Sequence, residues 1–169
     1  PDIVFHLAAQ PLVIDSYKNP LDTFNTNIIG TAKLLDISSK IKNLQSIIIV
    51  TSDKCYENNE TKLNFIEKDK LGGDDPYSCS KAAAELITNS YKKSFFEKVG
   101  VATARSGNVI GGGDYSKNRI IPDILKSISK NKNIILRNPQ STRPWQHVFE
   151  TLNGYITLAE KLTKHKDKF

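Results

Sequence analysis

The chain has 169 residues, 38% hydrophobic and 25% charged, with a formal net charge of +6. This is the composition of one globular domain with a real core, and the moderate positive charge suits a phosphate-bearing ligand. The lysines are dispersed, with no basic run interleaved with aromatics, which argues against nucleic acid. No apolar run approaches the roughly 20 residues of a membrane helix.

The elements read in chain order as follows. Asp2 to Ala9, "DIVFHLAA", is a continuous apolar run that predicts a strand buried on both faces. Asn19 to Ile41 carries apolar residues at near-helical spacing with Pro20 in its first turn, and Gly30 inside it suggests close packing against the sheet. Ser46 to Val50, "SIIIV", is a second buried strand, and Asn58 to Pro76 is a polar loop. Pro76 to Lys98 is a long helix in which Ala82, Ala83, Ala84, Glu85 and Leu86 serve as good helix formers. Gly100 to Gly107 is a third strand, and Asn108 to Asn118 is a glycine-rich loop. A helix follows from Arg119, bent or starting at Pro122. "NIILRNP" (residues 133–139) is a short strand, and Phe149 to Leu162 a closing helix.

This alternation is the signature of an α/β fold, a parallel sheet with helices on both faces. Ligands of such sheets bind beyond the carboxyl ends of the strands. That rule puts Ala8, Ala9 and Gln10, then Thr51, Ser52, Asp53 and Lys54, and then Ser106 to Asn108 on one rim. Tyr77 and Lys81, four apart, share one helix face. A phenol titrates near pH 10, and a neighbouring ammonium is expected to lower it toward a usable base. The two cysteines, Cys55 and Cys79, have no metal spacing and read as packing residues. His147 has no partner at ligand spacing and reads as structural, and His6 as a satisfied core histidine, so no metal is expected. Cytoplasm is the expected compartment.

In this order "HLAA", "NTNIIGT", "TSDKCYEN", "LGGDDPYSCSK", "GNVIGGGDY" and "RPWQHV" resemble the extended short-chain dehydrogenase/reductase family, and within it the nucleotide-sugar 4,6-dehydratases that act on CDP-glucose. The resemblance covers nearly the whole chain. It implies a modified Rossmann fold, NAD as cofactor and a triad of Ser52, Tyr77 and Lys81. Ser52 would bind the substrate 4-hydroxyl, Tyr77 would be the base, and Lys81 would hold the nicotinamide ribose. Asp53 and Lys54 would be the acid and base of the elimination, with Ala8, Ala9, Gln10 and Thr51 near the cofactor. Asn108 and Arg143 would meet the diphosphate, helped by Arg119 and Arg137, for which a surface salt bridge is an equal reading.

The glycine-rich dinucleotide turn of such folds is not in this sequence. The chain therefore reads as an internal fragment, without the N-terminal βαβ unit and most of the substrate domain. Residues 1–118 would belong to the NAD-binding domain, and 119–169 would begin the substrate region with a helix returning to the first. By itself the piece is expected to bind NAD poorly; the whole protein is expected to be a homo-oligomer. The alternatives are a dehydratase for another nucleotide, a 4-epimerase, and a truncated non-catalytic binding module. Asp53-Lys54 speaks against the epimerase, which needs no acid–base pair for elimination.

Overall fold

The computed structural model describes residues 1–58 and 64–166. Three strands, β1 (Ile3–His6), β2 (Ser46–Val50) and β3 (Gly100–Ala104), form a parallel sheet in the order β1-β2-β3. In β2 the side chains alternate between two cores. Ile47 and Ile49 pack with Leu35, Phe96 and Val101 on one face. Ile48 packs with Ala159 and Leu162 on the other. The first core is roofed by helices α3 (Gly30–Ser38) and α4 (Pro76–Phe95), the second by α6 (Val148–Lys164). The predicted α/β architecture with helices on both faces is what forms.

Several local expectations are corrected. β1 is not buried on both faces: it pairs only with β2 among the described residues, and Ile3 and Phe5 are exposed. A short helix α1 (Val13–Lys18) follows it, and the stretch read as one helix is α2 (Pro20–Phe24), a π-helical turn at Asn25–Ile29, and α3. Gly30 is not a close approach, since a Cβ there would meet only the Asn25 carbonyl at 3.7 Å. "NIILRNP" forms no strand; Ile134, Ile135 and Leu136 are exposed, and among the described residues the segment has no ladder partner to fix it. Instead, β4 (Asn108–Ile110), read as loop, pairs in parallel with β5 (Trp145–His147).

Helix α5 (Ile120–Ser129) starts two residues before Pro122. Proline is tolerated there because the first turn's N–H groups have no intrahelical acceptor. Cys79 is exposed rather than packed, whereas Cys55 is fully buried and its thiol is pushed up to about 12, chiefly by burial. Of the expected loop, residues 59–63 lie outside the described residues, as do 167–169 of the C-terminal charged run.

Two caps fix the helices that matter most. Asp75 accepts from the Ser78 N–H at 2.9 Å and from its hydroxyl at 2.6 Å, and Pro76 takes the first helical position of α4. His147 Nδ1 accepts from the Phe149 N–H at 3.3 Å at the start of α6, the structural role expected of it. His6 is likewise buried, with Nε2 at 3.2 Å from the Thr31 hydroxyl.

Candidate active site

The chain leaves β2 at Thr51 and turns at once. Ser52 caps a one-turn 3₁₀ helix, Asp53–Cys55, by accepting the Lys54 N–H at 3.2 Å. Its hydroxyl donates to Asp53 Oδ1 at 3.1 Å. Backbone bonds tie this shelf to the chain leaving β3: Thr51 N–H to the Ala104 carbonyl at 2.9 Å, and Asp53 N–H to that of Ser106 at 3.1 Å. The shelf is thus bonded to the chain leaving β3 beyond the last residues of both strands, with Thr51 and Ser52 still buried.

Helix α4 brings in Tyr77 and Lys81 on one face. Tyr77 is 9% exposed, and its N–H donates to the hydroxyl of the fully buried Ser16 at 3.2 Å. Lys81, 6% exposed, donates from Nζ to the Val50 carbonyl at 3.2 Å. Burial pushes the Tyr77 phenol above its ordinary value; the Ser52 hydroxyl and, more weakly, the Arg119 charge work against this, while Asp53 adds to it. The expectation of a lowered phenol is therefore corrected: burial sets the net direction upward, and the chain alone holds Tyr77 in its neutral form. Burial also lowers the Lys81 ammonium, partly opposed by Glu85.

Ser52, Asp53, Lys54, Tyr77, Asn108 and Arg119 line one cavity of about 550 Å3 at the carboxyl end of the sheet. It is closed on one side by the Asn108–Gly113 segment and on another by α1. Arg119 also pairs with Asp114 at 3.4 Å. The other expected phosphate ligands lie elsewhere. Arg137 donates to the Asn118 carbonyl at 2.7 Å, and Arg143 is exposed on the segment before β5; neither lines the cavity. Nor do Ala8, Ala9, Gln10, Thr51 and Lys81. Gln10 is engaged with its own loop and with α2, its amide donating to the Leu12 carbonyl at 3.1 Å and to Thr23 Oγ1 at 2.8 Å. The Thr51 hydroxyl turns down to Glu85.

The supporting residues were not singled out from sequence. Asn27, 2% exposed in the π-helical turn, accepts the Gln10 N–H at 2.8 Å and donates to Ser80 at 2.8 Å and the Gln10 carbonyl at 3.1 Å. It therefore links the loop after β1 to the helix of Tyr77. The extra residue of a π turn re-aims a side chain, and such turns concentrate at functional sites. Its sequence trace is the polar "NTN" that opens the motif "NTNIIGT" inside an amphipathic helix. Glu85 had no trace beyond helix propensity.

Comparison with known proteins agrees with this fold. The chain is 49% identical over its whole length to CDP-glucose 4,6-dehydratase of Salmonella typhimurium, and it spans 49% of that protein. Among solved structures, UDP-N-acetylglucosamine 4-epimerase of Methanobrevibacter ruminantium superposes with a TM-score of 0.85 at 27% identity, over 94% of this chain and 51% of that one. A dTDP-glucose 4,6-dehydratase of Streptomyces venezuelae, solved with NAD bound, gives 0.81 at 22% identity, over 96% and 48%. The chain thus spans about half the length of the relatives it matches, and its sheet and helices are those of a Rossmann-like fold. The sequence model of the family described as GDP-mannose 4,6 dehydratase matches residues 1–168, and the chain belongs to that family.

Proposed function

We propose that the chain carries the catalytic centre of an NAD-dependent nucleotide-sugar 4,6-dehydratase whose substrate is CDP-glucose. The observation that carries this reading is the single cavity shared by Ser52, Asp53, Lys54 and Tyr77, with Asn108 and Arg119 on its wall. The 49% identical relative supports the choice of CDP-glucose. The fit to NAD rests on Lys81. An ammonium has three donors, and among the described residues the Val50 carbonyl takes one, so two are left for a ribose diol beside Tyr77.

In this reading Tyr77 Oη, once ionised to the phenolate, removes the proton of the sugar 4-hydroxyl while the Ser52 hydroxyl hydrogen-bonds the same oxygen. NAD, when bound, accepts the hydride of carbon-4 and returns it to carbon-6. The ketone at carbon-4 acidifies the proton on carbon-5. Lys54 removes that proton and gives it back to carbon-5 as the hydride reaches carbon-6, and Asp53 protonates the departing 6-hydroxyl, so that water leaves. Asn108 and Arg119 bind the diphosphate, Arg119 through a guanidinium matched to two phosphate oxygens. An acid and a base side by side on the shelf favour elimination over 4-epimerisation.

Residues 119–169 open the substrate-binding region in this reading, with α6 as the helix that returns to the sheet through Ala159 and Leu162. The whole protein is a cytoplasmic homo-oligomer. The test is turnover of a panel of nucleotide-glucoses by the complete polypeptide that carries this chain. A 4-keto-6-deoxy product from CDP-glucose alone is expected. No product from any of them refutes the reaction, and equal turnover of dTDP- or UDP-glucose refutes the nucleotide.

A further inference from the structure

A heavily bonded side chain among the described residues lies below the rim, not on it. Glu85 sits four residues after Lys81 on α4 and is 5% exposed. Its Oε1 accepts from the Thr51 hydroxyl and from Arg105 Nε at 3.0 Å. Its Oε2 accepts from the Thr103 hydroxyl at 2.8 Å and from Arg105 Nη2 at 2.8 Å. A carboxylate has about four acceptor sites, and all four are filled. The donors come from the first residue of the shelf, from β3 and from the residue after β3. Arg105 is held in turn by the Glu67 carbonyl at 3.1 Å and by the Tyr56 ring, 4.8 Å from its guanidinium carbon.

We infer that Glu85 is a positioning residue for the proposed dehydration: through Thr51 it fixes the Ser52-Asp53-Lys54 shelf against the helix that carries Tyr77 and Lys81. The inference rests on the reading of the site given above. Glu85 and Tyr77 are on one rigid helix, and Thr51 precedes Ser52 directly. The Thr51–Glu85 bond is therefore a short side-chain tie between the two halves of the catalytic set. The backbone bonds of Thr51 and Asp53 run to the β3 side and do not reach α4. Thr103 supplies a built-in control, because its hydroxyl bonds the same carboxylate from a strand that carries no part of the shelf.

The experiment compares Thr51→Val, Thr51→Ser, Thr103→Val and Glu85→Gln in the complete polypeptide. Thermal melting confirms folding, NAD affinity is read by calorimetry, and kcat and KM are measured on the nucleotide sugar. Thr51→Val removes the tie and keeps the Glu85–Arg105 pair. A displacement on the order of 1 Å between reacting groups costs up to about 100-fold in rate, so kcat is expected to fall about 10- to 100-fold. KM and NAD affinity should stay within about 3-fold, since the tie touches neither ligand. Thr51→Ser restores the hydroxyl and the rate, and Thr103→Val turns over like the wild type. Glu85→Gln, where it folds, follows Thr51→Val.

Equal kcat for Thr51→Val and Thr103→Val overturns the inference and leaves the proposed function standing. A loss of NAD affinity that accounts for the fall in kcat also overturns it, since Thr51 would then be a cofactor contact. A folded wild-type protein that turns over no nucleotide sugar refutes the reading of the site, and the inference falls with it.

Discussion

Gly73 sets the spacing between the shelf and the catalytic helix, and Gly73→Ala is the substitution that tests this. A Cβ at this position would lie 2.6 Å from the Cys79 nitrogen, 2.6 Å from the Ser78 carbonyl carbon and 2.7 Å from Ser78 Cβ. Two of these are backbone atoms of the first turn of α4 and cannot rotate away. The loop cannot retreat either, because Gly72 N–H donates to the Cys55 carbonyl at 2.9 Å and the Gly72 α-carbon faces Glu57. Relief needs a shift of about 0.8 Å, out to the 3.4 Å of ordinary contact, and overpacking of this kind costs about 1–3 kcal/mol. In the complete polypeptide that lowers the melting temperature by a few degrees.

The same shift moves Tyr77 away from Ser52, and misplacement on the order of 1 Å costs up to about 100-fold in kcat. Differential scanning calorimetry and steady-state kinetics on the complete polypeptide are the assays. Gly154→Ala is the control. No atom lies within 4 Å of its Cβ, and in the interior of α6 alanine should stabilise by about 1 kcal/mol. A Gly73→Ala protein that melts and turns over like the wild type would refute the spacer argument.

Other substitutions separate the roles of neighbouring groups. Lys54→Ala should lower dehydrated product by roughly 100- to 10,000-fold while the carbon-5 proton of the sugar stays unexchanged with solvent, followed by NMR. Tyr77→Phe should stop the reaction before any change at carbon-4. Arg105→Met leaves the buried Glu85 carboxylate without its ion-pair partner and should cost about 3–5 kcal/mol in urea unfolding; a loss below about 1 kcal/mol would show the pair to be surface-like.

The pH dependence follows from the same group. Burial alone would raise the Glu85 carboxyl, but the hydrogen bonds from Arg105, Thr51 and Thr103 outweigh it, and the net direction is downward. A lowered folded-state pKa gives stability that is present above the unfolded value of 4.5 and lost as pH falls through the folded one. Unfolding free energy should therefore fall below about pH 4.5 in the wild type, and this portion of the fall should be missing in Glu85→Gln.

The elements with strong periodicity were legible in the sequence. "SIIIV" is buried from Ser46 to Ile49 and half-buried at Val50, and Pro76 starts α4 where proline is preferred. The misreadings come from pairing across long separations. β4 and β5 are three residues each, too short to show a period of two, and they exist because residues 37 positions apart meet: Asn108 pairs with Trp145. "NIILRNP" has the composition of a strand and, among the described residues, no neighbour to bond. The exposed face of β1 is invisible to a rule that equates an apolar run with burial, since burial belongs to the neighbours and not to the run.

The rim residues share a further reason for being legible. Polar groups that interrupt an apolar pattern stand out, as Ser52, Asp53 and Lys54 do after "IIIV". Glu85 does not stand out, because a glutamate after three alanines is ordinary helix composition. Its partners Thr51, Thr103 and Arg105 are 34, 18 and 20 residues away. The raised Tyr77 phenol completes this division of labour. Burial disfavours the ionised phenolate and so holds Tyr77 protonated in the chain alone. Ser52 and Arg119 already oppose that cost, and both line the cavity that the substrate would fill. The base is thus held back by the same burial that would strengthen every charge–charge interaction once a ligand enters.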